Sequence, residues 1–503
     1  MKQSAPQTLI SQSLSENSKI VQHIFTDCKD LILLPWSYGP GLEQAAMSVY
    51  LNTLVQDKTI NDMKQVLQSL VPHEVGPASS VTAEDVKHFY ANNGVSAQSA
   101  TLLKEIEQAV DHILDGKLVI FFDHWNQALS YATQNNLQRQ ISEPIMEPVV
   151  QGPHLSTIEN LDINIGLIRS LLKSPRLKFH YLTAGEESRR RFAYGYLDGA
   201  VNPETLNEFI KRISSIDREE ILETSYLEDW LGEALLTPFP QLRYTERPDT
   251  AVAALLDGKI ITMVNGTPTI LLCPGLFFEF FTSSEDYYQN TIFTSLVRFL
   301  RIFAFLIALL LPSTYIALTT FHSELIPTVL LLAILDTREG IPFPAFAEAL
   351  IMEFFFELLR EAGIRLPRPI GSAVSIVGAL VIGQAAIQAK IASPVMVIVV
   401  ALTGIASFSL PQYSMSIAIR VLRFLFMILA ATMGGIGIMI GILLSFLHLS
   451  SLRSLGQPYL GPIEPLDIRQ LRDLFIMVPR KWLLHSPRNR HLHKKTAGRQ
   501  KAP

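Results

Sequence analysis

The chain has 503 residues and a formal net charge of −4, and its length excludes a single compact core. Its two cysteines, Cys28 and Cys273, lie far apart, so buried free thiols in a reducing compartment are expected rather than a disulfide framework. The charge total says little. Its distribution separates an ordinary soluble stretch up to about residue 290, an apolar stretch over 298–449, and a basic tail from Arg453 to Lys501 whose acids are Glu464, Asp467 and Asp473.

The chain opens on MKQSAPQTLI, with no apolar stretch long enough for a signal peptide, so the soluble region is expected in the cytosol. An internal repeat follows. Asp115-Gly116-Lys117-Leu118-Val119-Ile120-Phe121 returns as Asp257-Gly258-Lys259-Ile260-Ile261-Thr262-Met263. Ahead of it, Ala109-Val110 and Ile113-Leu114 face Ala251-Val252 and Leu255-Leu256. Tyr50-Leu51 corresponds to Tyr196-Leu197, and Thr59-Ile60-Asn61 to Thr205-Leu206-Asn207. In both copies an extended apolar run leads into a polar N-cap and an amphipathic helix. That helix carries Met63, Val66, Leu67 and Leu70 in one copy and Phe209, Ile210 and Ile213 in the other. The second copy has Asn265-Gly266 between apolar runs, a type I′ hairpin signal, where the first has Asp123-His124. The pattern predicts a duplicated α/β unit over about 18–133 and 160–274. Residues 135–153, with Pro144, Pro148 and Pro153, read as a linker, and 73–100 as a surface insertion.

No phosphate-loop, dinucleotide-binding, HExxH, CxxC or GxSxG pattern is present. Glu186-Glu187-Ser188-Arg189-Arg190-Arg191 reads as a solvated turn rather than a nucleic-acid contact, and His485, His491 and His493 as part of a solvated tail rather than a metal site. A role without catalysis, cofactor, metal or nucleic acid is expected.

A helix needs roughly 20 apolar residues to cross the hydrocarbon core. Four uncharged stretches qualify: 302–321, 370–389, 391–419 with a span inside it from about 395 to 410, and 424–449 with Gly434, Gly435, Gly437 and Gly441. Between the first two lie a half-length apolar helix over 325–335, the break Asp336-Thr337-Arg338-Glu339-Gly340-Ile341-Pro342-Phe343-Pro344, and a short acidic helix over 345–359. These predict a re-entrant or broken-helix element near 324–362. Four crossings follow if it is re-entrant, six if both short helices cross. The four-crossing version places Arg365, Arg368, Arg420 and Arg423 on the far side, against the positive-inside trend. Glu353 and Glu357 share a helix face, with Glu348 and Glu361 offset around it. Such carboxylates either line a cation path or pair with Arg338, Arg360 or Arg365. Lys390 reads as a turn residue with a snorkelling ammonium, and Pro312 as a kink.

Several runs carry a family resemblance. They are Thr237-Pro238-Phe239-Pro240-Gln241, Thr245-Glu246-Arg247-Pro248-Asp249, Glu285-Asp286-Tyr287-Tyr288, Leu318-Thr319-Thr320-Phe321-His322 and Arg338-Glu339-Gly340-Ile341-Pro342-Phe343-Pro344. The longest are Leu358-Leu359-Arg360-Glu361-Ala362-Gly363-Ile364-Arg365-Leu366-Pro367-Arg368-Pro369 and Gly378-Ala379-Leu380-Val381-Ile382-Gly383-Gln384-Ala385-Ala386. With them the chain resembles the A subunits of the nutrient receptors that trigger endospore germination, the GerA family. The resemblance is close over about 142–466 and looser before residue 139. One departure is Gly152-Pro153-His154, where the family has Gly-Pro-Arg.

The resemblance implies a protein of the spore inner membrane, and the basic tail and the lack of a signal peptide make both termini expected in the cytosol. It would work with a transporter-like, nutrient-sensing B subunit and a lipoprotein C subunit, and would oligomerise into a ligand-gated cation path. The fold class is then an α/β soluble N-terminal region made of two tandem related subdomains, followed by an all-α multi-span transmembrane bundle in contact with lipid. The expected boundaries are 1–138, 139–290, 291–452 and a tail over 453–503. Glu348, Glu353 and Glu357 are the candidate ion-path residues. Arg338, Glu339, Gly340, Arg365, Arg368 and Gln384 are candidate structural-motif residues. A non-conducting scaffold for the receptor complex and a secondary transporter are the rival readings.

Overall fold

The structure, a computed structural model, describes residues 8–38, 44–55, 101–133, 144, 146–216, 219–234, 236–461, 463 and 477, without the side chains of 368–370 and 372–377. The chain forms two compact units. One takes Met1–Leu231 and Tyr244–Pro274, the other Gly232–Arg243 and Gly275–Leu484. The second unit thus begins before residue 291 and includes the strap Gly232–Arg243.

In the first unit, helix α1 (Leu14–Ile24) precedes strands β1 (Leu31–Tyr38), β2 (Gln44–Leu51) and β3 (Thr101–Leu103), helix α2 (Ile106–Leu114), and strands β4 (Leu118–Phe122) and β5 (Ala128–Tyr131). They build an antiparallel sheet of order β1-β2-β4-β5-β3. Helix α3 (Leu161–Leu171) then leads to β6 (Leu177–Ala184), β7 (Arg190–Leu197), α4 (Pro203–Ile213), α5 (Tyr226–Leu231), β8 (Arg243–Thr245), α6 (Pro248–Leu256), β9 (Ile260–Val264) and β10 (Ile270–Cys273). The second sheet has order β6-β7-β9-β10-β8. The helix expected around residues 63–70 and the 73–100 insertion lie outside the described residues.

The repeated Asp-Gly-Lys motif ends a helix in both places. Gly116 (φ +77) and Gly258 (φ +83) take the left-handed conformation that glycine tolerates best. The N–H groups of Lys117 and Gly116 reach the carbonyls of His112 and Ile113, and those of Lys259 and Gly258 reach Ala254 and Leu255. Each set is a Schellman cap that turns the chain into the central strand. Asn160 and Asn202 cap α3 and α4 with their side-chain oxygens. The Asn265-Gly266 turn differs from expectation. Only Gly266 has positive φ (+96), and Thr267 N–H closes onto the Val264 carbonyl, a type II rather than a type I′ turn.

One core packs Val21, Phe25, Ile106 and Ile113 against Met47, Val49 and Phe121. The other packs Leu161, Ile165, Ala251 and Leu255 against Phe179, Ile261 and Leu272. A buried clamp joins the two sheets. Arg169 Nε and Nη2 donate to Asp30 at 2.8 and 2.7 Å, both side chains fully buried, and Lys29 N–H donates to the Phe179 carbonyl. Cys28 and Cys273 are free and buried, and burial pushes both thiols up.

The second unit holds α7 (Thr291–Thr320), α8 (Thr328–Arg338), α9 (Ala345–Arg365), α10 (Arg368–Gln388), α11 (Pro394–Phe408) and α12 (Tyr413–Ser451). Three expectations change here. The acidic helix runs on to Arg365 and is 21 residues long, because nothing before Leu366-Pro367 breaks it. The 391–419 stretch contains a helix of 15 residues that stops before Pro411. The last apolar run is not one rod, since Gly434 (φ 61, ψ −136) interrupts α12.

At Gly434 the chain doubles back. A Cβ on Gly437 would meet the Leu429 carbonyl, and one on Gly441 would lie 2.8 Å from Phe426. Positions eight residues apart in a continuous helix are about 12 Å apart along the axis, so 413–433 and 435–451 form an antiparallel hairpin packed on its glycines. Gly435 N–H donates to His322 Nε2 at 3.1 Å, which ties the hairpin turn to the end of α7.

Side-chain pairs fix the other directions. Gly371 and Gly378 of α10 approach Gly363 and Leu359 of α9, so these helices are antiparallel. Ser393 and Gly404 of the α11 segment meet Glu348 and Phe356, so α11 runs parallel to α9. Arg423 and Arg420 reach Glu353 and Glu357, so residues 413–433 run against α9. The bundle therefore makes six alternating passes: α7, α9, α10, α11 and the two arms of α12. The chain leaves at the end where it entered. There Thr237 bonds His448, and Phe239 and Tyr459 pack on Phe277.

Candidate functional site

The acidic face of α9 meets arginines along its length. At the far end Glu348 is fully buried, accepts from Ser393 N–H at 3.0 Å and faces Arg338 at 2.9 Å. Arg338 ends α8, and Gly340 (φ +81) turns the backbone against the Lys390 side chain, whose Nζ donates to the Glu339 carbonyl at 3.3 Å. The Arg338-Glu339-Gly340 motif thus builds a polar knot that holds Glu348. Lys390 is tied into that knot from its turn, where it has φ +53.

In the middle of the helix, Arg423 Nη1 donates to both Glu353 oxygens at 2.9 and 2.7 Å, with each side chain 1% exposed. Arg423 Nε donates at 2.8 Å to the carbonyl of Ala308. That carbonyl is available for a reason written in the sequence. Pro312 lies inside α7, has no N–H, and so leaves the carbonyl four residues earlier without its helical donor. Proline creates the acceptor, and the arginine fills it.

Towards the entry end Glu357 bridges Arg360 at 3.3 Å and Arg420 at 3.1 Å. Arg360 lies between the Phe356 and Phe408 rings, at 5.0 and 4.8 Å, and donates to Ser407 Oγ. Arg420 lies over Tyr413. Glu361 and Arg365 form a solvated pair at 2.6 Å of the kind that contributes under about 1 kcal/mol. Of the remaining motif residues, Gln384 is exposed on α10, and the Arg368 side chain lies outside the described residues. Among the described residues no group of three or more His, Cys, Asp or Glu could hold a metal ion.

The three candidate glutamates therefore lie on one ladder, each neutralised by arginine. A carboxylate in that state offers little uncompensated field to a passing cation. Of Arg338, Arg360 and Arg365, the partners that the sequence offers as the alternative to an ion path, the first two meet Glu348 and Glu357 and the third meets Glu361, whereas Arg423 and Arg420 lie more than 60 residues away from Glu353 and Glu357 in sequence. Pro312 was the signal that could have found Arg423.

The family model for the Bacillus/Clostridium GerA spore germination protein matches residues 19–489. Spore germination protein KA of Bacillus subtilis (strain 168) is 39% identical over 98% of this chain and 89% of its own length. An uncharacterized membrane protein of the same organism, YfkQ, is 38% identical over 93% of this chain and 90% of its own. Among solved structures, the N-terminal domain of the A subunit of the Bacillus megaterium spore germinant receptor GerK3 aligns with 54% of this chain and 99% of its own, at 24% identity and a TM-score of 0.42. The family match spans nearly the whole chain, and its relatives are similar along most of their length: the chain belongs to the GerA family of spore germination proteins.

Proposed function

We propose that this chain is the A subunit of a spore germinant receptor, embedded in the spore inner membrane through its helical unit and assembled with copies of itself around a gated cation path. The family membership carries the receptor role. Two apolar segments support the membrane reading: Thr291–Thr320 and Tyr413–Ser451 contain 18-residue stretches of mean hydropathy 2.1 and 2.3, and Phe299, Phe303, Met439 and Leu443 stand more than half exposed on them. Such surfaces suit lipid or a neighbouring subunit.

Read as six crossings, these passes would ease the charge problem of the four-crossing reading. Arg360, Arg365 and Arg420 then sit towards the end where the chain enters, and Glu324, Asp336, Glu339 and Glu348 share the other with Arg338 and Lys390. That is the asymmetry expected if the entry end, the soluble unit and the basic tail share the cytosolic side. The tandem sheets are read as related copies that hold the assembly or relay the signal. A transporter-like B subunit and a lipoprotein C subunit would complete the receptor.

The path itself is assigned to the outer face of α10. Gln384 and Gln388 are exposed there beside Leu380 and Val381. Amides facing hydrocarbon are costly, so this face needs water or another copy. The arginine-paired glutamate ladder then serves as a strut in the closed state. A non-conducting scaffold is the second reading, and the same paired ladder favours it. Spores lacking the chain should lose germination in response to at least one nutrient and regain it on complementation. An unchanged response across a nutrient panel would refute the receptor role.

A further inference from the structure

The entry-side half of the ladder does not balance. Glu357 joins Arg360 and Arg420 in one triad, and the Glu353–Arg423 pair lies one helical turn away on the same face of α9, so three guanidinium groups stand against two carboxylates. Arginine does not shed its proton in proteins, so one positive charge is in surplus. Two donors in the cluster, Arg423 Nη2 and Arg360 Nε, are buried and have no hydrogen-bond partner among the described residues. Arg423 is 1% exposed, and a buried charge or N–H group left without a partner is costly.

We propose that this cluster is a binding site for a small monovalent anion, chloride being the simplest. The anion cancels the surplus charge and accepts from the unpaired guanidinium donors. Its way in is through Glu357 and Arg420, which are 27% and 16% exposed, whereas Glu353 and Arg423 are sealed. Chloride suits the place because its single charge matches the excess. A divalent anion would replace one imbalance with its opposite. An anion here would lock α9, α11 and α12 together without lying on the outer face of α10.

The test uses the full chain in nanodiscs, with thermal unfolding followed as chloride replaces gluconate at constant ionic strength. Wild type should show a saturable stabilisation by chloride. Glu357→Gln raises the surplus by one charge and should tighten chloride by about tenfold or more, as expected for a unit charge added at close range. Arg420→Gln removes the surplus and should abolish the chloride dependence. If chloride and gluconate act alike in wild type and in Glu357→Gln, water fills the site and the proposal fails. Should Arg420→Gln not assemble, the Glu357→Gln titration decides alone, because no tightening there also overturns it. None of these readouts depends on ion conduction.

Discussion

Arg423→Ala should be among the most damaging single substitutions in the helical unit. It removes the partner of Glu353, and breaking a buried ion pair from one side costs about 3–5 kcal/mol. It also orphans the Ala308 carbonyl, because Pro312 supplies no N–H, and an unsatisfied buried acceptor costs about 1–3 kcal/mol more. The second cost can be isolated. Pro312→Ala restores the missing N–H in α7, so in the Arg423→Ala background it gives the orphan its donor. In wild type the carbonyl already has Arg423 Nε at 2.8 Å. Pro312→Ala should therefore recover about 1–3 kcal/mol more in the Arg423→Ala background than in wild type, a coupling read from a double-mutant cycle. Unfolding of the detergent-solubilised full chain measures all four corners. A coupling within about 0.5 kcal/mol of zero would refute the assignment of that carbonyl to Arg423.

Three further outcomes can be measured in the same assay. Asp30→Ala strands the fully buried Arg169 between the two sheets and should cost about 3–5 kcal/mol, while an exposed control such as Arg365→Ala should cost under about 1 kcal/mol. Gly434→Ala places a Cβ 2.9 Å from Phe321 at a φ of +61. It should destabilise the hairpin by about 1–3 kcal/mol and lengthen spin-label distances between its arms. Glu228 accepts from Tyr244 Oη at 2.6 Å, and burial is the main cause holding its carboxyl above the usual range. A raised carboxyl disfavours the folded state as pH climbs through it. Glu228→Gln should thus stabilise the first unit at neutral pH, and the gain should vanish below the ordinary carboxylate range.

Local features were legible in the sequence wherever their cause was local. The Asp-Gly-Lys repeats marked two Schellman caps, because a helix end followed by glycine has one favourable way to turn. Helix α4 was legible from Phe209, Ile210 and Ile213 after a polar cap. The turn type at Asn265-Gly266 was not, since the loop to Ile270 is longer than the two-residue hairpin that demands type I′. The long apolar helix hid its fold for a different reason. Gly434, Gly437 and Gly441 look the same in a straight span with a glycine seam as in a hairpin. The partners of the glutamates were half legible. Arg338 and Arg360 lie near in sequence, but Glu353 meets Arg423 only because six helices alternate in direction. The exposure of Gln384 is likewise a property of packing that hydropathy does not report.

The most direct test of the account is conductance of the purified chain in planar bilayers under cation gradients, alone and with its receptor partners, for wild type and for Gln384→Leu. The account expects cation-selective current that Gln384→Leu alters without loss of assembly. Well-assembled protein that stays silent in both settings, or current indifferent to Gln384, would contradict it.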